Sequence, residues 1–280
     1  MDFKRFAELI MIEQTLFALP FALVGVLFAG GGTITTWLLV MVALAAARTA
    51  GMSFNRVIDA EIDARNPRTR ERALPRGEVS AGSVWLTAII SSVVFILAAF
   101  LLNRLCFYLS FAGIFLLFTY SFLKRFTASS HFYLGLIEAA APIGGYLAVT
   151  GRLDGVAVIL GIVIMAWIAG LDILYAFQDV DFDTAENLHS LPVALGRATS
   201  LRISGACYLI ALAALVLAGQ VTHKNGPYWI ALLIIGAVFL YQQILARRNH
   251  GAAATARIFK INALIAPVLF AGALFDVWIG

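Results

Sequence analysis

Nine long apolar stretches make up most of this 280-residue chain, and they restrict its possible folds more than any other feature. A helix that crosses the hydrocarbon core of a bilayer needs about 20 apolar residues. Hydrophobic residues form 61% of the chain and charged residues 13%, whereas a soluble domain is about 25% charged. These values disfavour water-soluble enzymes, disordered chains and nucleic-acid-binding proteins. The predicted spans lie at about 11–30, 34–52, 83–102, 105–122, 132–150, 156–174, 201–219, 228–246 and 258–279.

These stretches predict an all-α polytopic membrane protein, a single domain over residues 1–280 built as a bundle of nine transmembrane helices. Only helices and closed barrels satisfy their backbone groups in lipid, and the stretches are too long for barrel strands. The basic N-terminus is typical of a signal peptide, but Glu8 and Glu13 interrupt the apolar run, so we expect a retained first helix. Cys106 and Cys207 fall in different spans and are expected to be buried apolar residues rather than a disulfide.

The basic residues are distributed unevenly between the two sides of this arrangement. Of the 20 Lys and Arg residues, Arg104, Arg152 and Lys224 fall on one side, Arg48 lies within the second span, and all others fall on the side of the N-terminus. Cytoplasmic loops of membrane proteins carry the excess of basic residues. We therefore expect the N-terminus and the long polar segments 53–82 and 175–200, which carry the candidate active site, in the cytoplasm and the C-terminus outside.

An acidic cluster follows the second predicted span, where Asn55, Asp59 and Asp63 stand four residues apart. If the helix continues past the membrane surface, this spacing places them along one stripe. One amide and two carboxylates form a row of oxygen donors that suits Mg²⁺, which takes one or two carboxylates and completes its shell with water and phosphate. A solvated helical extension, with Arg56 and Arg65 as ion-pair partners, is the alternative.

A second acidic cluster follows the sixth span, where Tyr175, Asp179 and Asp183 repeat this spacing and Asp172 lies a further turn back inside the span. Asp181 is expected to point away, because two residues rotate a helix by about 200°. Carboxylates four residues apart on a helix repel each other unless a cation lies between them. Two such pairs at the cytoplasmic ends of membrane helices predict two carboxylate rows that face each other and hold metal ions with a diphosphate.

Basic and aromatic residues near both clusters fit a diphosphate that carries a long apolar tail. Cationic side chains neutralise the charge of such a leaving group, although any cytoplasmic loop carries arginine. A polyprenyl diphosphate matches a polar cavity that opens into lipid. The basic set is Arg68, Arg70, Arg72, Arg76, Lys124 and Arg125. Six aromatic residues lie at depths where they would either line a tunnel for the tail or pack within the bundle. They are Phe118, Tyr120, Phe122, Tyr133, Tyr146 and Trp167.

The segments around the two clusters resemble those of a known family. Residues 55–80, with the acidic row followed by an Asn-Pro-Arg-Thr run, resemble the first signature of the UbiA family of intramembrane aromatic prenyltransferases. Residues 120–127 are similar to the family's fourth-helix segment, residues 175–190 resemble its second signature, and residues 259–262 resemble its last-helix motif. Together, these motifs resemble those of bacterial 4-hydroxybenzoate polyprenyltransferase-like enzymes of quinone biosynthesis.

The resemblance implies Mg²⁺-dependent transfer of a polyprenyl group from polyprenyl diphosphate to a ring carbon of a small aromatic acid of the 4-hydroxybenzoate type, in ubiquinone or menaquinone biosynthesis. An alternative acceptor is 1,4-dihydroxy-6-naphthoate. The resemblance also implies a multi-pass protein of the bacterial inner membrane, with no nucleic acid and no obligate protein partner. One departure is Glu13, Gln14 and Thr15 in the first helix, where many family members carry a basic residue.

Roles follow from the resemblance for particular residues. Lys124 would contact the diphosphate, and Arg125 would face either the diphosphate or an acceptor carboxylate. Tyr120 or Tyr175 would stabilise an allylic cation through the ring face, and Asp179 or Asp172 would deprotonate the acceptor hydroxyl. The metal ligands would be Asn55, Asp59, Asp63, Asp179 and Asp183. The catalytic residues would be Asp59, Asp172 and Asp179, and the substrate-binding residues Asn55, Arg72, Tyr120, Lys124, Arg125 and Tyr175.

Two other classes of membrane protein were weighed against this interpretation. Buried carboxylates also mark the ion pathway of a cation transporter, but here they cluster at one surface, and the sequence has no paired broken helices. A CDP-alcohol phosphotransferase is another intramembrane metal enzyme, but the acidic run of that class is absent from this sequence. The sequence therefore favours the prenyltransferase.

Overall fold

The computed structural model describes residues 3–248 and 252–279, and every regular element in those residues is an α-helix. The helices are α1 (Phe3–Ile10), α2 (Ile12–Phe28), α3 (Ile34–Ile58), α4 (Ala60–Arg65), α5 (Ala81–Leu102), α6 (Arg104–Leu123), α7 (Ser130–Thr150), α8 (Gly155–Ala176), α9 (Val180–Ala185), α10 (Leu191–Val221), α11 (Gly226–Arg248), α12 (Ala252–Asn262) and α13 (Ile265–Ile279).

Eight helical segments of the described chain are long and apolar enough to cross a membrane. They are α3, α5, α6, α7, α8, α10, α11 and the segment Ala253–Trp278, which α12 and α13 form together. The first predicted span corresponds to α2, which has 17 residues and a shorter apolar part, Ala18–Phe28. The predicted all-α membrane bundle is confirmed, whereas the ninth crossing stays a prediction.

Two long helical segments of the described chain contain a local break in the backbone. Gly196 breaks α10 with φ 72° and ψ 168°, a conformation that glycine adopts readily because it has no Cβ. The last span, predicted at 258–279, is divided between α12 and α13. Pro267 lies in the first turn of α13, where the N–H that proline lacks has no helical partner in any case.

The innermost helix of the bundle is α8, which packs against α2, α7, α10 and α12. Its Trp167 is 1% exposed and lies between Phe21 and Phe239, with ring centroids 4.9 and 5.7 Å away. A helix that is apolar on all sides is typical of the centre of a large protein. Because α8 leads into the second acidic cluster, this core fixes the position of Asp172 and Asp179.

Glycines allow α2 and α7 to cross at close range. A Cβ at Gly25 would collide with the carbonyl oxygen of Pro142, and a Cβ at Gly145 would collide with that of Ala22. Small residues at such crossings give membrane helices their van der Waals contact. The short α2 is therefore an integral part of the bundle.

The α5–α6 hairpin forms an outer layer against α3. The Asn103 side chain caps α6 by accepting a hydrogen bond from the Cys106 N–H at 3.0 Å, and its amide donates to the Leu147 carbonyl at 2.8 Å. Large apolar side chains such as Phe100 and Phe115 are exposed on this layer. An apolar surface of this kind suits contact with lipid.

The amphipathic helix α1 braces the loop that follows the first acidic cluster, residues 66–80. Leu9 and Ile10 are buried and pack with Ala73 and Val79 of that loop. A short helix with one apolar face is typical of the membrane interface. This contact holds in place the loop that carries most of the predicted basic residues.

Candidate active site

Both acidic clusters have the same backbone design. Asp59 separates α3 from α4 with φ −93° and ψ 7°, and Asp179 precedes α9 with φ −104° and ψ 3°. The N–H of Asp63 donates to the Asp59 carbonyl at 2.8 Å, and the N–H of Asp183 donates to the Asp179 carbonyl at 2.7 Å. Each second aspartate therefore lies one turn beyond the first, on a helix of six residues.

The helical continuation considered for the acidic clusters is present only with a break at the first aspartate of each cluster. The Asp59 N–H keeps the four-residue register by donating to the Asn55 carbonyl at 3.0 Å, but the Asp179 N–H donates to the Ala176 carbonyl, three residues back, at 3.1 Å. A straight extension would carry the acidic side chains into water. The turns at Asp59 and Asp179 instead keep Asp63 and Asp183 buried against the bundle.

Arg68 joins the two clusters. Its Nε and Nη2 atoms donate to the two carboxylate oxygens of Asp179 at 3.0 and 2.9 Å. The guanidinium also lies 5.7 Å from the ring centroid of Tyr175, whose other neighbour is Phe259 with a centroid distance of 5.7 Å. A bidentate arginine–carboxylate pair is among the strongest polar contacts in proteins. Because Arg68 belongs to the loop after the first cluster, both clusters lie at the same end of the bundle.

A second ion pair ties the two short helices to each other. Arg65 on α4 contacts Glu186 at the end of α9, with 2.8 Å between Nη2 and Oε2. Asp181 on α9 is exposed, as expected. The predicted outward direction of Asp181 is therefore confirmed, and Asp179 and Asp183 form the inward face.

Asp63 is surrounded by arginine side chains. Arg72 donates to its Oδ2 at 2.6 Å, and Nη1 of Arg56 lies 4.0 Å from the same oxygen. Arg56 is 5% exposed and Asp63 is 8% exposed. The alternative of a solvated helical extension therefore does not hold for these residues, and Arg56 joins the basic side chains of the site.

Asp59 is held from two sides. Asn55 donates from its amide to Oδ2 at 2.7 Å, and Arg125 donates from Nη2 to Oδ1 at 3.3 Å and to the Ile58 carbonyl at 2.8 Å. Burial raises the pKa of Asp59 to about 6, and the nearby Asp63 charge adds to the rise although Arg125 opposes it. An added cation at this position would relieve the cost of the buried charge.

Asp183 is the most buried of the four cluster aspartates, at 2% exposure, and its Oδ2 has no hydrogen-bond partner among the described residues. Burial raises the pKa of Asp183, and the positive charge of Lys124 opposes that rise. Lys124 exerts the same effect on Asp59. The Lys124 side chain therefore lies within electrostatic reach of both clusters, as expected for a diphosphate contact.

The cluster residues fit Mg²⁺ together with a phosphate ligand better than a bare ion. Within residues 3–248 and 252–279, no three Asp, Glu, His or Cys side chains converge into a group that would hold a metal alone. The donors nevertheless are oxygens, as Mg²⁺ requires, and the buried Oδ2 of Asp183 is an unsatisfied acceptor. Mg²⁺ commonly binds through one or two carboxylates and substrate phosphates, so arginines that separate the carboxylates are compatible with a site completed by substrate.

Two partly buried polar pairs inside the bundle were missed by the sequence analysis. Asp172 on α8 is bonded to His131, with 2.6 Å between Oδ2 and Nδ1. Arg48 on α3 donates to Glu138 on α7. An ionisable side chain within a predicted span is itself a signal of function or pairing, and Glu138 carried that signal.

Tyr120 lies between these two pairs. Its hydroxyl is within electrostatic reach of Asp172, Asp59, Glu138 and Arg48. This places Tyr120 beside the predicted catalytic carboxylates. The structure thus brings together every predicted site residue at one end of the bundle.

The expected aromatic tunnel is only partly compatible with the structure. Trp167 is enclosed in the core, and the Tyr146 hydroxyl donates to Asp154 at 2.9 Å at the opposite end of the bundle. Phe118 packs edge-on to Phe54, with centroids 5.4 Å apart, at the outer layer. Trp167 and Tyr146 therefore serve packing.

The side chains of Glu13, Gln14 and Thr15, the departure in the first helix, lie outside the described residues.

Comparison with protein families decides how this site is to be interpreted. The family model described as the UbiA prenyltransferase family matches residues 18–264. The chain belongs to the UbiA prenyltransferase family. This UbiA-family chain is 34% identical to a 4-hydroxybenzoate octaprenyltransferase of Pectobacterium carotovorum subsp. carotovorum, over 98% of this chain and 93% of that protein. It is 33% identical to a protein of the same description from Vibrio campbellii, over 82% and 81% of the two chains.

Solved structures of UbiA homologs have the same fold. The apo structure of a UbiA homolog from Aeropyrum pernix K1 superposes with a TM-score of 0.88 and 28% identity, over 95% of this chain and 98% of that one. A UbiA homolog from Archaeoglobus fulgidus, solved with GPP and Mg²⁺, has a TM-score of 0.72 and 18% identity, over 96% and 99% of the chains. The second comparison supports the fold alone.

Family membership makes this protein a membrane enzyme, a prenyltransferase of the 4-hydroxybenzoate polyprenyltransferase-like type. The predicted family, fold class and enzyme class are confirmed. The cation transporter and the CDP-alcohol phosphotransferase are set aside, because neither belongs to this family.

Proposed function

We propose that this UbiA-family enzyme transfers a polyprenyl group from polyprenyl diphosphate to a ring carbon of 4-hydroxybenzoate, in a Mg²⁺-dependent reaction of quinone biosynthesis. The observation that carries the proposal is the Arg68–Asp179 pair, which unites the two acidic clusters and their basic residues at one end of the bundle. Relatives described as 4-hydroxybenzoate octaprenyltransferases support this acceptor. The Archaeoglobus homolog, which shares the fold, was solved with GPP and Mg²⁺ bound, and the proposal assigns ligands of the same classes to this chain.

Binding of the diphosphate would proceed by exchange of partners. In the structure, Arg68 is paired with Asp179 and Arg72 with Asp63. With the substrate bound, these arginines would turn to the phosphate oxygens, for which the planar guanidinium is well suited. Lys124 would add a positive charge between the clusters.

The cluster aspartates, of which this exchange releases Asp63 and Asp179, would hold the metal. The ligands would be the carboxylates of Asp59, Asp63, Asp179 and Asp183, with the amide oxygen of Asn55. When bound, Mg²⁺ would neutralise the negative charge that develops on the departing diphosphate. Arg125, which already contacts Asp59, would either complete the contact with the diphosphate or meet the carboxylate of the acceptor.

The prenyl cation would form next to Tyr120. As the bond from C1 of the prenyl group to the diphosphate oxygen breaks, positive charge develops on the allylic carbons, and an aromatic ring face stabilises such charge. The Tyr175 ring already lies between Arg68 and Phe259. Tyr120 is therefore the better placed of the two candidate tyrosines, and exclusion of water by the bundle protects the cation.

Asp172 is the better candidate for the proton acceptor. Both carboxylate oxygens of Asp179 are engaged by Arg68, and Asp179 would bind metal during the reaction. Asp172 lies deeper in the bundle, on α8, within electrostatic reach of Lys124 and Tyr120. A positioned carboxylate that removes the hydroxyl proton raises the electron density of the acceptor ring.

The lipid-soluble substrate accounts for the location of the enzyme. We infer a multi-pass protein of the bacterial inner membrane, with the acidic clusters and the N-terminus in the cytoplasm and the C-terminus outside, because the basic residues concentrate at the end of the bundle that carries the site. The prenyl tail would enter from the bilayer and the aromatic acid from the cytoplasm. No protein partner is needed for this chemistry.

Transfer of a labelled polyprenyl group tests the proposal. The enzyme in lipid nanodiscs, with Mg²⁺ and labelled polyprenyl diphosphate, should prenylate 4-hydroxybenzoate in preference to 1,4-dihydroxy-6-naphthoate. Asp59→Ala and Asp179→Ala should abolish product formation. Asp181→Ala, at an exposed position of α9, should retain it. If the enzyme prefers 1,4-dihydroxy-6-naphthoate, the proposed acceptor is wrong and the naphthoate takes its place. Near-normal activity of both site variants would refute the assignment of the site.

A further inference from the structure

His131 is a fully buried polar side chain that connects three helices. It lies at the start of α7 and is 0% exposed. Its Nδ1 atom is 2.6 Å from Oδ2 of Asp172 on α8, and the backbone N–H of Leu191, at the start of α10, donates to its Nε2 at 3.2 Å. Both ring nitrogens therefore have defined partners.

These partners determine which nitrogen of His131 carries the proton. A backbone N–H can only donate, so Nε2 must be the acceptor and must carry the lone pair. The neutral imidazole then holds its proton on Nδ1, which makes His131 the donor and Asp172 the acceptor of the 2.6 Å bond. The ring cannot rotate or exchange tautomers without breaking one of the two bonds.

Asp172 faces the site on its other side. Its side chain is 20% exposed although its partner His131 is completely enclosed. The charge of Lys124 and the hydroxyl of Tyr120 are both within electrostatic reach of this carboxylate. The bond from His131 occupies Oδ2, so Oδ1 is the oxygen left to meet an acceptor.

We propose that His131 is a positioning residue for prenyl transfer, which holds Asp172 so that Oδ1 faces the hydroxyl of the aromatic acceptor. This proposal rests on the function proposed above. A base held in one orientation reacts faster because the alignment of the proton transfer is set in advance. His131 itself would touch neither substrate.

The step balances in atoms and charge. Oδ1 of Asp172 takes the hydroxyl proton, and the electron pair moves into the ring. The ring carbon bonds to C1 of the prenyl group as the bond from C1 to the diphosphate oxygen breaks. The new sp³ ring carbon then loses its hydrogen as a proton to the released diphosphate, and the resulting phenolate oxygen regains a proton from Asp172. The net products are the prenylated acid, diphosphate and one proton.

Two substitutions separate the positioning role from simple core packing. In His131→Asn the amide nitrogen takes the place of Nδ1, so the bond to Asp172 is retained while the bond to the Leu191 N–H is lost. In His131→Gln the amide oxygen takes the place of Nε2, so the bond to Leu191 is retained while the bond to Asp172 is lost. If His131 only packs the core, the activity of the two variants should simply follow their stability.

The test compares the wild-type enzyme with both variants in nanodiscs, with His223→Asn, exposed at the other end of the bundle, as the control. We expect His131→Gln to lower kcat by about 100-fold, the smaller end of the usual effect of a general base, with an unchanged KM for the prenyl diphosphate. We expect His131→Asn to keep kcat within about threefold of wild type, since its bond to Asp172 persists. The unfolding midpoint of each variant is measured in parallel.

The possible outcomes are distinguishable. Equal kcat values in the two variants, or a loss of kcat that follows the unfolding midpoint, would overturn the positioning role while the proposed function stands. If the wild-type enzyme prenylates no phenolic acid, the proposed function fails, and the role of His131 fails with it.

Discussion

Arg68 and Asp179 form a bidentate ion pair although 111 residues separate them in the chain. The pair places the loop after α4 directly against the turn before α9. Because each residue belongs to a different acidic cluster region, the contact turns two separate sequence features into one site. In the proposed mechanism, this pairing lasts until the diphosphate competes for the positive charges.

Replacement of Arg68 by lysine tests this exchange. Arg68→Lys keeps the charge but loses one of the two parallel bonds that the guanidinium would make to the diphosphate after leaving Asp179, each charge-assisted bond being worth about 1.5–3 kcal/mol. Since about 1.4 kcal/mol corresponds to a factor of ten, we expect at least a tenfold rise in KM for the polyprenyl diphosphate. Arg70→Lys is the matched control, because Arg70 is exposed and pairs with Glu71 at the surface. Equal kinetics for the two variants would contradict a role of Arg68 in the site.

Asp183 should be needed for metal binding. Its buried Oδ2 has no partner among the described residues, so Asp183→Asn removes the charge of an oxygen that we assign to Mg²⁺. We expect the Mg²⁺ concentration for half-maximal activity to rise at least about tenfold, a cost typical even of residues that only support a metal ligand. A Mg²⁺ titration of Asp183→Asn beside the exposed control Asp181→Asn measures this, and identical titrations would exclude Asp183 as a ligand.

Glu138 should stabilise the bundle through Arg48. The two side chains form an ion pair between α3 and α7, with side-chain exposures of 12% and 17%. Removal of one partner from a fully buried pair costs about 3–5 kcal/mol, whereas exposed pairs contribute about 0–1 kcal/mol, so this largely enclosed pair is expected to lie between these values. We expect Glu138→Ala to lower the free energy of unfolding in detergent far more than Glu71→Ala. Similar unfolding curves for both variants would show that the pair adds no stability.

Labelling of single cysteines tests the proposed orientation. Cys106 and Cys207 are buried, so new thiols at exposed loop positions should dominate the reaction. A membrane-impermeant maleimide should label Arg152→Cys in intact cells and should label Arg76→Cys only after the membrane is opened, because the positive-inside rule places Arg76 in the cytoplasm. The reverse pattern would invert the topology.

The membrane fold was predictable because hydropathy acts over whole segments. The predicted spans at 83–102 and 156–174 correspond to α5 (Ala81–Leu102) and α8 (Gly155–Ala176). The error lies where the backbone departs from the helix, because the chain between Asn262 and Ile265 divides the last predicted span, 258–279, into α12 and α13. Hydropathy does not report such breaks, since they change the backbone and not the apolar character.

The carboxylates of the site were predictable, but their partners were not. The four-residue spacing identified Asp59, Asp63 and Asp183 without any tertiary information. The bond from His131 to Asp172 and the pairing of Arg68 with Asp179 join residues far apart in the chain. Many loop arginines compete for such positions in a sequence, and only the packing of α7, α8 and the loops selects among them.

The central claim is that both acidic clusters bind one and the same diphosphate, and a double-mutant cycle tests it most directly. The measurement is Mg²⁺-dependent binding of a non-reactive prenyl thiolodiphosphate to the wild type, Asp59→Asn, Asp179→Asn and the double variant. Groups that act together in one site give strongly non-additive losses, whereas independent sites give additive free energies. We predict that each single substitution removes most of the binding and that the double variant is little worse. If the double variant loses the sum of the two single binding free energies, or if either single variant binds like the wild type, the two clusters do not share one site.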